Sequence, residues 1–203
     1  GEALVDAGMD HTLLSLQGTN AAVADRVGGY KGGFDRKMAL ALMAMAPRSL
    51  EMEIVDIAQL PFYNQDLEDA GKSPAAWLEF RESVKGFDGV LFVTPEYNRG
   101  LPALLKNALD VGSRPYGKSV WNAKPGAIVT VSPGPLGGFG ANHSLRQSLV
   151  FLNVPCMQQP EAYIGNAAAL FDAEGGIAND STREFLNKVM NAFADWVATH
   201  TAG

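Results

Sequence analysis

The sequence predicts an α/β domain whose parallel sheet is covered by helices on both faces. Two six-residue runs, GVLFVT at Gly89–Thr94 and GAIVTV at Gly126–Val131, are apolar without alternation, the pattern of strands buried on both sides. From residue 51 onward, strand-like and helix-like periods alternate along the chain, which favours parallel strands joined by crossover helices. Polar, proline- and glycine-rich segments follow each buried run immediately (TPEYN and SPGPLGG). Open parallel sheets bind ligands at that carboxyl end of their strands.

The elements follow in order. Residues 1–20 show no clean period and are expected to be an irregular N-terminal segment, with the domain itself spanning 21–203. Ala21–Val27 is the expected first strand, although Asp25 and Arg26 suit a central position poorly. A glycine-rich loop, Gly28–Asp35, leads into a helix from about Arg36 to Ala46. Glu51–Ile57 reads as a strand, closed by Leu60–Pro61. Ser73–Lys85 reads as a helix with Ser73 as N-cap and Pro74 in its first position. After Gly89–Thr94, Leu101, Leu104, Leu105, Ala108 and Leu109 recur at helical spacing behind Pro102. Leu145, Leu149 and Leu152 line the helix after Gly126–Val131, and Val154–Met157 is expected to be a short fifth strand. Ser181 and Glu184 form a capping box for a last helix that presents Phe185, Val189, Phe193, Trp196 and Val197 on one side.

Composition narrows the function classes. The 203 residues suit one α/β domain, and 47% apolar residues suffice for a core. A formal charge of −6 argues against a nucleic-acid surface, and the scattered Lys and Arg leave no polybasic membrane patch. The longest apolar run, around Ala39–Pro47, is too short to span a bilayer. One cysteine, Cys156, excludes an intramolecular disulfide and fits a reducing compartment. With no succession of basic, apolar and small residues typical of a secretory leader, the expectation is a cytoplasmic protein. His11, His143 and His200 lie far apart without a ligand cluster, so no metal is expected.

Three loops carry candidate chemistry. TPEYN can be a simple strand-end turn, with Pro95 stopping the strand and Asn98 capping the next helix; alternatively the backbone of Pro95–Asn98 lines a flat ligand, with Tyr97 beside it. SPGPLGG holds three glycines and two prolines in seven residues. It can be a connector, or a loop whose bare backbone approaches a ligand. The Gly28–Asp35 loop, opening a helix N-terminus and carrying Lys31, can cradle an anion, although neither the dinucleotide nor the P-loop fingerprint is present. Together the three loops suit a phosphorylated planar cofactor. No G-x-S-x-G elbow exists for a hydrolase. His143 reads as a surface or interface residue, and Cys156 as a small buried apolar one.

The segments LPFYNQDLED (60–69), TPEYNRGLPALLKNALD (94–110), SRPYG (113–117), KPGAIVTVSPGPLGG (124–138) and LRQSLVFLNV (145–154) resemble the NADPH-dependent FMN reductase family, which includes chromate- and quinone-reducing flavoproteins. The resemblance implies a flavodoxin-like three-layer sandwich with a five-stranded parallel sheet of order 2-1-3-4-5. It implies FMN as cofactor, NADPH or NADH as co-substrate, and hydride passing through the flavin to quinones, flavins, azo or nitro compounds, or metal oxyanions such as chromate. One shared flavin face implies ping-pong kinetics. The partners implied are small-molecule acceptors and further copies of the chain in a homodimer or homotetramer, with the SRPYG region and the Arg146 helix at interfaces. The cofactor-binding residues implied are Pro95, Glu96, Tyr97 and Asn98, then Ser132, Pro133, Gly134 and Gly137, and in the first loop Gly29, Lys31, Gly33, Phe34 and Asp35. No side chain is expected to act as acid or base.

The first loop departs from the family pattern. Gly29 and Gly33 stand where serines are expected, Lys31 where arginine is, and Asp35 where asparagine is. Lost hydroxyl donors cost roughly 0.5–1.5 kcal/mol each, Lys lacks the bidentate fork of Arg, and a carboxylate repels phosphate. The expectation is FMN binding weaker than is usual for the family. The competing function is a flavodoxin-like electron carrier or flavin-binding module that does not oxidise NADPH; a third is a member that keeps the fold without flavin.

Overall fold

The computed structural model describes residues 10–16, 33–173 and 175–201. Its centre is β3 (Gly89–Thr94), every residue of which is buried. Residues Val90–Thr94 pair in parallel with Gly126–Thr130 of β4 (Gly126–Val131), which is likewise buried throughout. Both strands coincide with the apolar runs read from the sequence. On its other side β3 pairs in parallel with β1 (Asp10–Leu16), which pairs in parallel with β2 (Leu50–Asp56). The last ladder joins β4 to β5 (Ala162–Ile164), again in parallel.

Alternate residues of the buried strands feed two separate cores. Val90, Phe92 and Ile128 pack with α3 (Ala75–Lys85), α4 (Ala103–Gly112) and α5 (Phe139–Phe151) through Trp77, Phe80, Leu105, Leu109, Leu145 and Leu149. Leu91, Val93, Ala127, Val129 and Val131 pack with α1 (Phe34–Ala44) and α6 (Asp180–Thr201) through Met38, Leu42, Val189, Met190 and Phe193. The two-residue period of a strand thus sends successive side chains into opposite layers. Phe185 and Trp196 of α6 flank the second core and are partly buried. Among the described residues, no helix is long and apolar enough to cross a membrane.

Several boundaries differ from the sequence expectations, for local reasons. The first described strand is Asp10–Leu16, inside the stretch expected to be irregular, whereas Ala21–Val27 lies outside the described residues. The fifth strand is Ala162–Ile164, not Val154–Met157. That segment makes only one bridge, Cys156 with Gly126, because Pro155 has no N–H to extend the ladder. The helix after Pro74 starts at Ala75 with no side-chain cap, so Ser73 is not its cap. At α6 the carboxamide oxygen of Asn179 accepts the Thr182 N–H at 3.1 Å, so Asn179 rather than Ser181 caps that helix.

Buried polar side chains tie the excursion after β2 to the helical layer. Asn107, buried in α4, donates Nδ2 to the carbonyls of Leu60 and Pro61 and accepts the Tyr63 N–H at 2.8 Å. Trp77 Nε1 donates to the Pro61 carbonyl at 2.8 Å. Arg81, also buried, pairs with Glu68 of α2 (Gln65–Asp69) and donates Nε to the Val111 carbonyl. The LPFYN and KNALD segments of the sequence are therefore joined physically, as strap and staple. Asn107→Ala leaves one buried N–H and two carbonyls without their partner. It is expected to lower the unfolding free energy by about 2–3 kcal/mol, read as a lower denaturation midpoint at unchanged slope in urea.

Candidate active site

The paired strands β3 and β4 end level, Thr94 opposite Thr130, so their following loops emerge side by side. After β3 the chain makes a tight reversal. The Tyr97 N–H donates to the Gly100 carbonyl at 3.1 Å and the Gly100 N–H to the Tyr97 carbonyl at 2.9 Å. Asn98 and Arg99 both have positive φ, 50° and 66°, as a mirror-image two-residue turn requires. Asn tolerates that region well. Asn98 therefore shapes the turn and does not cap α4, whose N-cap is Pro102.

The loop after β4 is held from β5. The Ser132 N–H donates to Ile164, the Ala167 N–H to Ser132 and the Asn166 N–H to Gly134. The Ser132 hydroxyl oxygen accepts the Gly134 N–H at 3.2 Å, and the buried Thr130 hydroxyl donates to the Gly137 carbonyl at 2.7 Å. Pro133 lies between these two anchors. Gly137 has φ 61°, and a Cβ there would stand 2.5 Å from the Tyr163 carbonyl carbon, so this glycine serves loop packing. Gly134 differs: the nearest atom to a Cβ there would be Ser132 Oγ at 3.7 Å, so the side on which a side chain would stand is uncrowded.

A carboxylate joins the two loops. Glu96 Oε2 accepts the Ala141 N–H in the first turn of α5 at 3.1 Å, and Oε1 lies 3.8 Å from Arg99 Nη1. The described end of the third predicted loop, residues 33–35, lies within reach of Tyr97. Gly33 is the N-cap of α1, followed by Phe34 and a buried Asp35 in the first turn. Phe34 stacks on Phe171 at 6.4 Å. The charge of Asp35 reaches Tyr97: burial first, and then Asp35, push the Tyr97 phenol above its ordinary pKa. Gly29 and Lys31 lie outside the described residues. Of the expected residues, those from Gly33 to Asp35, from Pro95 to Asn98 and from Ser132 to Gly137 thus border one region.

Comparison with known proteins identifies the family. Residues 26–169 match the family model described as NADPH-dependent FMN reductase. The chain belongs to the NADPH-dependent FMN reductase family. A quinone reductase of Pseudomonas putida is 58% identical over 172 residues, covering 85% of this chain and 91% of that relative. The solved structure of FerB, a flavoenzyme NAD(P)H:(acceptor) oxidoreductase from Paracoccus denitrificans, superposes with a TM-score of 0.82 at 32% identity, covering 95% and 99% of the two chains. A flavodoxin, WrbA-like protein from Agrobacterium tumefaciens matches with a TM-score of 0.55 at 17% identity, over 95% and 99%, a likeness of fold alone. The fold is a flavodoxin-like α/β fold.

The family's description implies FMN, and the ring end of the region fits it. The turn at Tyr97–Gly100 and the uncrowded face of Gly134 let main chain approach a flat group, and Tyr97, 41% exposed, offers a phenol. At the N-terminus of α1, Asp35 places a buried carboxylate in the turn where the helix dipole would favour an anion. Among the described residues no three His, Cys, Asp or Glu side chains gather as a metal site. Cys156 is half-buried; burial pushes its thiol pKa up against the opposing pull of Arg146, which disfavours the reactive thiolate. His143 meets the Phe139 ring at a tilt, centroids 4.2 Å apart, and lies 3.3 Å from the Tyr163 hydroxyl, on the outer side of α5. Burial and then Glu161 push that phenol up to about 12.

Sequence reasoning missed Thr130 and the first-turn amide of Ala141. Thr130 had a signal: a threonine near the end of an otherwise apolar strand needs a partner for its hydroxyl. The Ala141 amide had none, because backbone donors leave no trace in residue types. Asp35→Asn is expected to lower the Tyr97 pKa part of the way towards the ordinary tyrosine value, since burial remains the larger cause. Ultraviolet pH titration of both proteins, each minus its Tyr97→Phe counterpart, measures this; an unshifted phenol would separate the two loops.

Proposed function

We propose that this chain is an FMN-dependent NAD(P)H:quinone reductase. The observation that carries the reading is the juxtaposition of two backbone-rich loops at the level ends of β3 and β4, in a chain 58% identical to a quinone reductase. FMN, when bound, supplies the hydride and electron chemistry between nicotinamide and quinone. Pro95, Glu96, Tyr97 and Asn98 would present main chain to one edge of its ring, and Ser132, Pro133 and Gly134 to another. Gly137 keeps the second loop in shape. Gly29, Lys31, Gly33 and Phe34 would face the phosphate at the α1 N-terminus. No side chain needs to act as acid or base: the protein orients the ring and leaves room for one substrate at a time. Chromate, azo and nitro compounds and free flavins belong to the wider range of acceptors that an open flavin face admits.

We read the sheet as the five-stranded arrangement β2-β1-β3-β4-β5, supported by the parallel pairings, within one FMN-binding domain that ends in α6. Val150 and Phe151 on α5 are 80% and 81% exposed, which supports assembly into a homodimer or homotetramer through that helix. A single, half-buried cysteine supports a cytoplasmic setting.

Protein loaded with FMN and freed of unbound flavin is expected to stay yellow and, without oxygen, to turn over NADPH continuously when a benzoquinone is present. Flavin uptake without NADPH oxidation would leave the electron-carrier reading, and no flavin uptake would leave a fold without cofactor. Asp35→Asn removes the carboxylate beside the phosphate position and is expected to tighten FMN binding about fivefold, the scale of one helix-terminal charge. Quenching of flavin fluorescence reads it.

A further inference from the structure

We infer that Glu96 acts through its side chain as a positioning residue, a latch that sets the spacing between the two ring-binding loops, and does not hold the flavin with its carboxylate. The inference deepens the proposed function and rests on that reading for its link to FMN. The reasoning starts at α5. A helix N-terminus leaves its first N–H groups without intrahelical partners, and a Ser, Thr, Asp or Asn at the N-cap normally satisfies one of them. Here the N-cap is Gly138 with φ 79°. A Cβ at Gly138 would stand 2.8 Å from the Thr130 Cβ, so no capping side chain can grow from that position.

The acceptor comes instead from the neighbouring loop. Glu96 sends Oε2 to the Ala141 N–H, 45 residues away, and its side chain is only 13% exposed. A negative group at this end of α5 is also favoured by the helix dipole. Close approach is possible because residue 140 is glycine. A Cβ there would stand 2.6 Å from the Arg99 carbonyl oxygen and 2.9 Å from Glu96 Oε2. The turn at Tyr97–Gly100 therefore packs directly on the first turn of α5. One hydrogen bond thus ties the segment carrying Pro95–Asn98 to the helix that anchors Ser132–Gly138. A slot whose two walls are joined in the free protein binds a rigid ring without first ordering a loop.

Wild type, Glu96→Ala, Glu96→Gln and Gly140→Ala separate this role from a direct contact. Two quantities are read: the FMN dissociation constant from flavin fluorescence, and hydrogen exchange of the Ala141 amide in the FMN-free protein. Glu96→Ala is expected to speed exchange at Ala141 and to weaken FMN about tenfold. Glu96→Gln retains an acceptor oxygen; it is expected to preserve protection and to stay within about threefold of wild type in affinity. Gly140→Ala is expected to resemble Glu96→Ala, and replaces it in the comparison should Glu96→Ala fail to fold. Unchanged Ala141 exchange in both disruptive variants would overturn the latch. So would a Glu96→Gln variant that keeps Ala141 protected yet loses FMN as fully as Glu96→Ala, since the charge would then be touching ligand. If wild type itself takes up no FMN, the functional reading fails on its own. The Ala141 exchange still upholds or overturns the latch.

Discussion

Burial of β3 and β4 on both faces is the constraint from which the remaining structure follows. A strand enclosed by two helical layers has no solvent-facing side on which to carry chemistry, so every residue from Gly89 to Thr94 and from Gly126 to Val131 serves packing or the ladder. Polar groups must then gather where the strands stop. Thr94 and Thr130 mark that limit: both are fully buried, both satisfy their hydroxyls locally, on the Pro95 and Gly137 carbonyls, and they stand opposite each other in the ladder.

What lies beyond the threonines is mostly backbone. The turn at Tyr97–Gly100 closes on itself through reciprocal main-chain bonds, and the loop from Ser132 to Gly138 leans on main-chain groups of Ile164, Asn166 and Ala167. Such loops are stiff because their bonding is internal, and on the proposed reading a flat group would fit between them. An enzyme whose cofactor performs the chemistry needs these properties more than it needs a reactive side chain. The elements away from the slot, such as the Asn107 staple and the Arg81–Glu68 pair, hold the helical layer against which β3 and β4 are packed.

Much of this was legible in residue order, where a feature depends on a short contiguous pattern. The two apolar runs, the helix behind Pro102 and the proline- and glycine-rich loops at the strand ends needed only local reading. Features set by distant partners were not legible. Asn98 looked like a helix cap and proved to shape a turn, because the reversal is closed by Gly100. Ser181 looked like a cap and gave way to Asn179, one residue before the helix starts. The short β5 strand escaped because three residues carry no period, and its position follows from the end of β4. The reach of Glu96 to Ala141 could not be read at all, since it joins a side chain to a backbone amide across 45 positions. In the first loop, residue types located a helix N-terminus correctly. The effect of Asp35 on Tyr97 became visible only once two loops were seen together.

The most direct measurement is a crystal structure of the protein grown with FMN. The isoalloxazine ring is expected between the main chain of Pro95–Asn98 and the Ser132–Gly134 loop, with its phosphate towards the N-terminus of α1 and the Glu96 carboxylate still on Ala141. Density for the ring at the opposite end of the sheet, or a gap between the two loops closed by packed side chains, would contradict it.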